Sequence, residues 1–144
     1  MHWDEFVSAA QAISWVAYFG TADSDGRPHV SAVAPGFSPG TMWIATRPGS
    51  KKFRNLRLNS SVAFYWPVGS SGPGELAAWG HATIHESQES RDRIWDGGYL
   101  SFDLSQFFGP RESADVAFAE IAVSRARLLG PDFQARVWTP EVRG

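Results

Sequence analysis

The residues best suited to chemistry lie in one short run, Thr46-Arg47-Pro48-Gly49-Ser50-Lys51-Lys52. A Pro-Gly turn there delivers a serine and two lysines to the start of a predicted helix that runs to Leu58. Unpaired backbone N–H groups and the positive end of the macrodipole already favour an anion at such a position. A hydroxyl and two ammonium groups added to it make a phosphate pocket. Helix starts ordinarily carry Asp or Glu, so lysines oppose the dipole unless something negative binds between them. The plainer reading is a solvated basic turn with Ser50 as an ordinary N-cap. Local sequence leaves both open.

Several elements must position this turn. The apolar run Met42-Trp43-Ile44-Ala45 precedes it as a predicted strand, Met42–Thr46. Further upstream, Trp3, Phe6, Val7, Ala10 and Ile13 have the spacing of an amphipathic helix. Trp15–Ala22 alternates as a strand, Asp23-Ser24-Asp25-Gly26 is a hairpin turn, and the return strand runs over Arg27–Phe37. Downstream, Val62–Trp66 and Glu75–Glu86 read as strands around a Gly/Ser/Pro loop from Pro67 to Gly74. A short helix over Gln88–Trp95 follows, capped by Ser87. Residues 97–113 have no period but are rich in aromatics, and Val116–Leu129 is a last strand. Six strands with few, short helices predict a mainly β fold, a small six-stranded antiparallel barrel in one domain, residues 1–144.

Composition narrows the partners. The 144 residues carry a net charge of −2, which gives no footprint for nucleic acid. There is no cysteine, so disulfides and thiolate metal sites are excluded. No window reaches the roughly 20 apolar residues of a membrane span, and nothing resembles a signal peptide, so the expected setting is cytoplasmic. Aromatics make up 14% of the chain, including seven Trp and ten Phe. That is more than a monomer this small easily buries, and it favours a subunit interface and a flat ligand. His81 and His85 share a strand face, but two histidines without a carboxylate make a poor metal site, and none is expected. Trp66 reads as core, whereas Trp79 and Trp95 suit an interface or a pocket.

Asp25-Gly26-Arg27-Pro28-His29-Val30 on a hairpin, then a strand, then Gly49-Ser50-Lys51-Lys52 entering a helix ending Arg54-Asn55-Leu56, resembles the flavin-binding split-barrel family typified by pyridoxamine 5'-phosphate oxidase. The tail runs Arg93-Ile94-Trp95-Asp96, Phe107-Phe108-Gly109-Pro110 and Ala117-Phe118-Ala119-Glu120-Ile121. That order is similar to the general stress protein 26 branch. The resemblance implies a homodimer with FMN in its interface. Thr46, Lys51 and Lys52 would meet the flavin phosphate, with Ser50 in the same turn and Ala45 and Arg47 beside it. Val30, Ser31, Ala32 and Val33 would lie along the isoalloxazine, and Trp79 and Trp95 would line the site.

Two departures matter. Glu75 stands where the oxidases use glutamine to hydrogen-bond the ring, and an ionised carboxylate can only accept. Ala34-Pro35 replaces the lysine that holds the substrate phosphate in vitamin B6 oxidation. The expectation is therefore two-electron redox on an unspecified small molecule. An F420-dependent reductase and a non-catalytic flavin-binding stress protein are the alternatives.

Overall fold

Alternation of apolar and polar residues builds an antiparallel sheet that curls until its two ends meet. The computed structural model describes residues 1–67 and 74–141, so positions 68–73 of the expected Gly/Ser/Pro loop lie outside the described residues. Helix α1 (Trp3–Ile13) buries Phe6 and Ala10 and places Asp4 and Glu5 in its first turn, where carboxylates complement the dipole. Strands β1 (Ala17–Ala22), β2 (Pro28–Val33), β3 (Gly36–Ser38) and β4 (Thr41–Thr46) follow, then helix α2 (Lys51–Leu58). The second half holds β5 (Ser61–Trp66), β6 (Glu75–His85), α3 (Gln88–Gly97), α4 (Leu104–Phe108), β7 (Ala117–Leu129) and β8 (Ala135–Trp138). None of the described helices is long and apolar enough to cross a membrane.

The strand order is β2-β1-β5-β6-β7-β4-β3, every pair antiparallel, with β8 added to β7. Strands β2 and β3 stand at opposite ends of that order, yet only Ala34 and Pro35 separate them in the chain. Three virtual bonds span at most about 11 Å, so the sheet's ends lie that close at this point. This is the split barrel in outline.

The sequence predicts six strands, and eight form among the described residues. The expected strand over Arg27–Phe37 divides into β2 and β3 because Pro35 has no N–H for a ladder and restrains Ala34 before it. Gly36 then admits the tail, since a Cβ there would overlap the Tyr99 carbonyl. Strand β8 is the other addition, and its four residues are too few to show a period. The first strand also begins at Ala17, leaving Trp15 65% exposed ahead of it.

Two apolar clusters result. The barrel interior holds Phe6, Phe19, Phe53, Phe64, Trp66 and Leu76, with Phe6 edge-on to Trp66 at a centroid distance of 5.5 Å. Trp66 is thus core, as its alternation predicts. Along β4 the pleat sends Met42 and Ile44 to this interior and Trp43 outward. There Trp43 joins Ile94, Leu104, Val116 and Phe118 in a second cluster that the segment from α3 to β7 builds over the barrel's outer wall.

The rest of that wall, across β2-β1-β5-β6, has a different surface. Its register places Val30, Gly20, Ala63 and Trp79 in one row, and Ala32, Tyr18, Tyr65 and Ala77 in the next. Val30, Tyr18 and Tyr65 are exposed.

Candidate functional site

The anchor of the basic turn is α2, which buries Phe53 and Leu56 in the barrel. Buried Asn55 fixes its orientation, donating from Nδ2 to Thr21 Oγ1 at 3.1 Å. Ser50 is the N-cap: its Oγ accepts from the Phe53 N–H at 3.3 Å and lies 3.2 Å from Thr46 Oγ1. The Ser50 N–H in turn donates to the Arg47 carbonyl at 3.0 Å, closing the turn. First-turn N–H groups have no intrahelical partner, so with Phe53 capped, the amides of Lys51 and Lys52 remain for an outside acceptor. The capping reading and the pocket reading are therefore compatible.

Arg57 secures the turn from behind. Its Nη2 donates to the Pro48 carbonyl at 3.2 Å and to Glu86 Oε1 at 2.6 Å. That guanidinium holds the Glu86 carboxyl below its usual range. A carboxyl lowered in this way stabilises the fold above its unfolded pKa and stops doing so as pH falls through the folded value. The pair is partly exposed, so the effect is small. Glu86→Gln is expected to lower Tm slightly at neutral pH and to match the unsubstituted protein once both are acidified below the carboxylate range. A gap that persists unchanged in acid would remove the pair from this account.

The two lysines point to different surroundings. Lys51 is exposed and adds its field to Asp23 in the β1–β2 turn, whose carboxyl is lowered chiefly by the hydrogen bond it accepts from the Arg27 N–H. Lys52 is half-buried, and desolvation pushes its pKa down. Among the described residues, no carboxylate pairs with it. A partly desolvated ammonium without a counter-charge is unfavourable unless an anion joins it.

Lys52 lines a cavity of about 380 Å³ at the seam of the barrel. Ala45, Thr46, Arg47 and Ser50 line it on the β4 side, and Ala32, Val33 and Ala34 on the β2 side. Its remaining wall is aromatic, formed by Trp15, Phe102, Phe107 and Phe108 with Val16. A second cavity of about 290 Å³ on the outer sheet face is lined by Val30, Glu75 and Trp79 with Tyr18, Tyr65 and Arg127. There Glu75 Oε2 accepts from Arg127 Nη1 at 3.0 Å, and the Arg125 guanidinium stands 5.3 Å from the Trp79 ring centroid.

The fold therefore gathers seven of the expected site residues at one cavity and three at the neighbouring one. Ser31, Lys51 and Trp95 line neither. Trp95 packs against the outer cluster, and Ser31 Oγ is buried with no hydrogen-bond partner among the described residues. Trp15 and the three phenylalanines are absent from the expected site. For the phenylalanines the signal was the aromatic density of an aperiodic segment, which marks a surface that something covers without saying what.

Other polar candidates have local partners. His85 Nε2 lies 3.0 Å from Glu120 Oε1, and the described residues contain no group of three side chains able to hold a metal. Arg93 is exposed, whereas Arg91 is half-buried and reaches the Val116 carbonyl at 3.4 Å.

Residues 4–130 match the family described as Pyridoxamine 5'-phosphate oxidase. No curated protein matches the chain in sequence. Among solved structures, the general stress protein 26 of Bacillus anthracis superposes with a TM-score of 0.67 at 16% identity, covering 94% of this chain and 98% of that one. A pyridoxamine 5'-phosphate oxidase-related, FMN-binding protein of Nostoc punctiforme gives 0.65 at 11% identity, covering 96% and 94%. A heme-binding protein of Mycobacterium smegmatis gives 0.70 at 20%, covering 94% of this chain and 57% of its own. At these identities the likeness is one of fold, and the site must speak for its own ligand.

Proposed function

Because this chain belongs to the pyridoxamine 5'-phosphate oxidase family, as the match over residues 4–130 shows, we propose that it is an FMN-binding oxidoreductase acting as a cytoplasmic homodimer. The observation that carries the reading is Lys52: a half-buried ammonium, lowered in pKa by desolvation, beside the free N–H groups of α2. The flavin phosphate supplies the missing negative charge. Lys52 and the amides of Lys51 and Lys52 hold it, Thr46 and Ser50 present hydroxyls, and Arg47 adds charge at the rim. Lys51 assists only at longer range.

Bound flavin supplies two-electron redox chemistry, and the protein supplies position and surroundings. Ala32 and Val30 alternate outward along β2 and form a low surface for a flat ring to lie on. Glu75 is committed to Arg127, so it donates nothing to the ring where the oxidases use an amide. Ala34 at the cavity wall carries no charge, which argues against a phosphorylated B6 substrate.

FMN titration into purified protein, followed by flavin fluorescence, tests the reading. Saturable uptake with a yellow product is expected. Uptake of F420 and not FMN would overturn the cofactor assignment, and loaded protein that reduces no acceptor would leave a flavin-binding stress protein.

The dimer in this reading is supported by the bare outer rows on β2-β1-β5-β6, where Val30 is 64% and Tyr18 47% exposed. Tyr18→Glu is expected to shift the protein from dimer to monomer in size-exclusion light scattering, and to weaken FMN with it. Retention of a dimer with full FMN affinity would place the interface elsewhere.

A further inference from the structure

The cavity beside Lys52 has two unlike ends. One carries every charge in its lining, Arg47 and Lys52, together with the hydroxyls of Thr46 and Ser50. The other is walled by Trp15, Phe102, Phe107 and Phe108 and presents no ionisable side chain. Resting on the FMN reading, we propose that this aromatic end is the substrate side, and that it accepts a neutral, flat aromatic molecule and rejects anionic ones.

The wall is a built feature. Asp103 caps α4, its Oδ1 accepting from the Ser105 N–H at 3.0 Å and from Ser105 Oγ at 2.7 Å. Buried Leu104 ties the helix to the outer cluster. Phe102 then meets Phe107 edge-on at a centroid distance of 4.9 Å and an interplanar angle of 76°, which holds the Phe107 ring in place. Phe107 is still 53% exposed, and Trp15 across the cavity is 65% exposed. Two large exposed rings lining one cavity gain by covering their faces with a third ring.

In the FMN reading, the surface offered to the ring and this wall lie in different directions along β2. From Ala32, which lines the first cavity, the outward face continues to Val30, which lines the second, where none of the tail aromatics takes part. Trp15 lies just ahead of Ala17, which pairs with Val33, and it also meets Pro35 across a small cavity, so it stands at the other end of β2 from Val30. A flavin ring held on Ala32 and Val30, as the FMN reading has it, would leave the aromatic end open. An anion placed there would lose hydration with no cation to meet it, since the charges at the other end are taken by the phosphate.

Calorimetric titration of FMN-loaded protein with 2-naphthol and with 2-naphthalenesulfonate tests the charge rule on one ring system. The neutral compound is expected to bind and the sulfonate to bind at least about tenfold more weakly. Phe107→Ala should weaken 2-naphthol about tenfold, and the milder Phe107→Leu less, with FMN affinity held within about twofold in both. Equal binding of the two compounds, or a loss confined to FMN affinity in Phe107→Ala, would overturn the substrate-side assignment while leaving FMN binding standing. Failure of the unsubstituted protein to take up FMN at all would overturn the cofactor reading and this inference together.

Discussion

Lys52→Ala is expected to weaken FMN binding by about 1.5–3 kcal/mol, the range for a hydrogen bond to a charged group, or roughly ten- to a hundredfold in Kd. Lys51→Ala, adjacent in sequence but at an exposed position, should cost less than about threefold, as an exposed and screened charge does. The contrast is the test, because a generic basic surface would lose equally from either. Fluorescence titration of both variants at two salt concentrations separates the cases. Equal losses would mean that burial of Lys52 has no part in holding the anion.

A pH dependence follows from the same burial. Desolvation lowers the pKa of Lys52 in the free protein. Binding an anion favours the charged form and raises that pKa again, so FMN binding takes up a proton once pH exceeds the free-state value. Affinity should therefore begin to fall at a pH below the ordinary lysine range, and Lys52→Ala should abolish that decline.

The second large effect concerns the scaffold. Trp66→Ala is expected to destabilise the fold by about 3–5 kcal/mol, the usual cost of removing a large aromatic from a packed core. Trp66 is 1% exposed and packs near Phe6 of α1, Phe64 of its own strand and Phe37 of β3. It thus joins the first helix to the seam of the barrel. Its neighbour Tyr65 points outward, so Tyr65→Ala should change stability by less than about 1 kcal/mol. Urea unfolding of both variants measures the difference. A small loss for Trp66→Ala would mean that the interior rearranges to fill the space.

Alternation and turn chemistry made much of this architecture legible. The first helix, the Asp-Gly hairpin, β4, α2 and the Ser50 and Ser87 caps all follow from patterns contained within a few residues. The break at Ala34-Pro35 was visible as a proline, but its consequence was not. A proline near a strand end and one that divides a strand look alike until the other end of the sheet arrives beside it. Strand β8 depends on pairing with β7, which no four-residue window reveals. At the site, the charged end was readable because lysines at a helix start violate a local preference. The difference between Lys51 and Lys52 was not, since it depends on which face of α2 meets the barrel. Phe102, Phe107 and Phe108 reach the cavity only through the long return of the tail across the outer wall.

The position of β7 also governs the order in which this barrel can be completed. It lies between β6 and β4, bonding along both edges, yet it leaves the ribosome after both of them. Until it inserts, β4 and β6 each carry a row of unpaired amides and carbonyls beside apolar side chains, a template for pairing with another chain. Nascent or truncated forms lacking residues 117–129 should therefore be sticky intermediates that invite chaperone capture, and the final ladder must form through contacts remote in sequence, which makes closure slow.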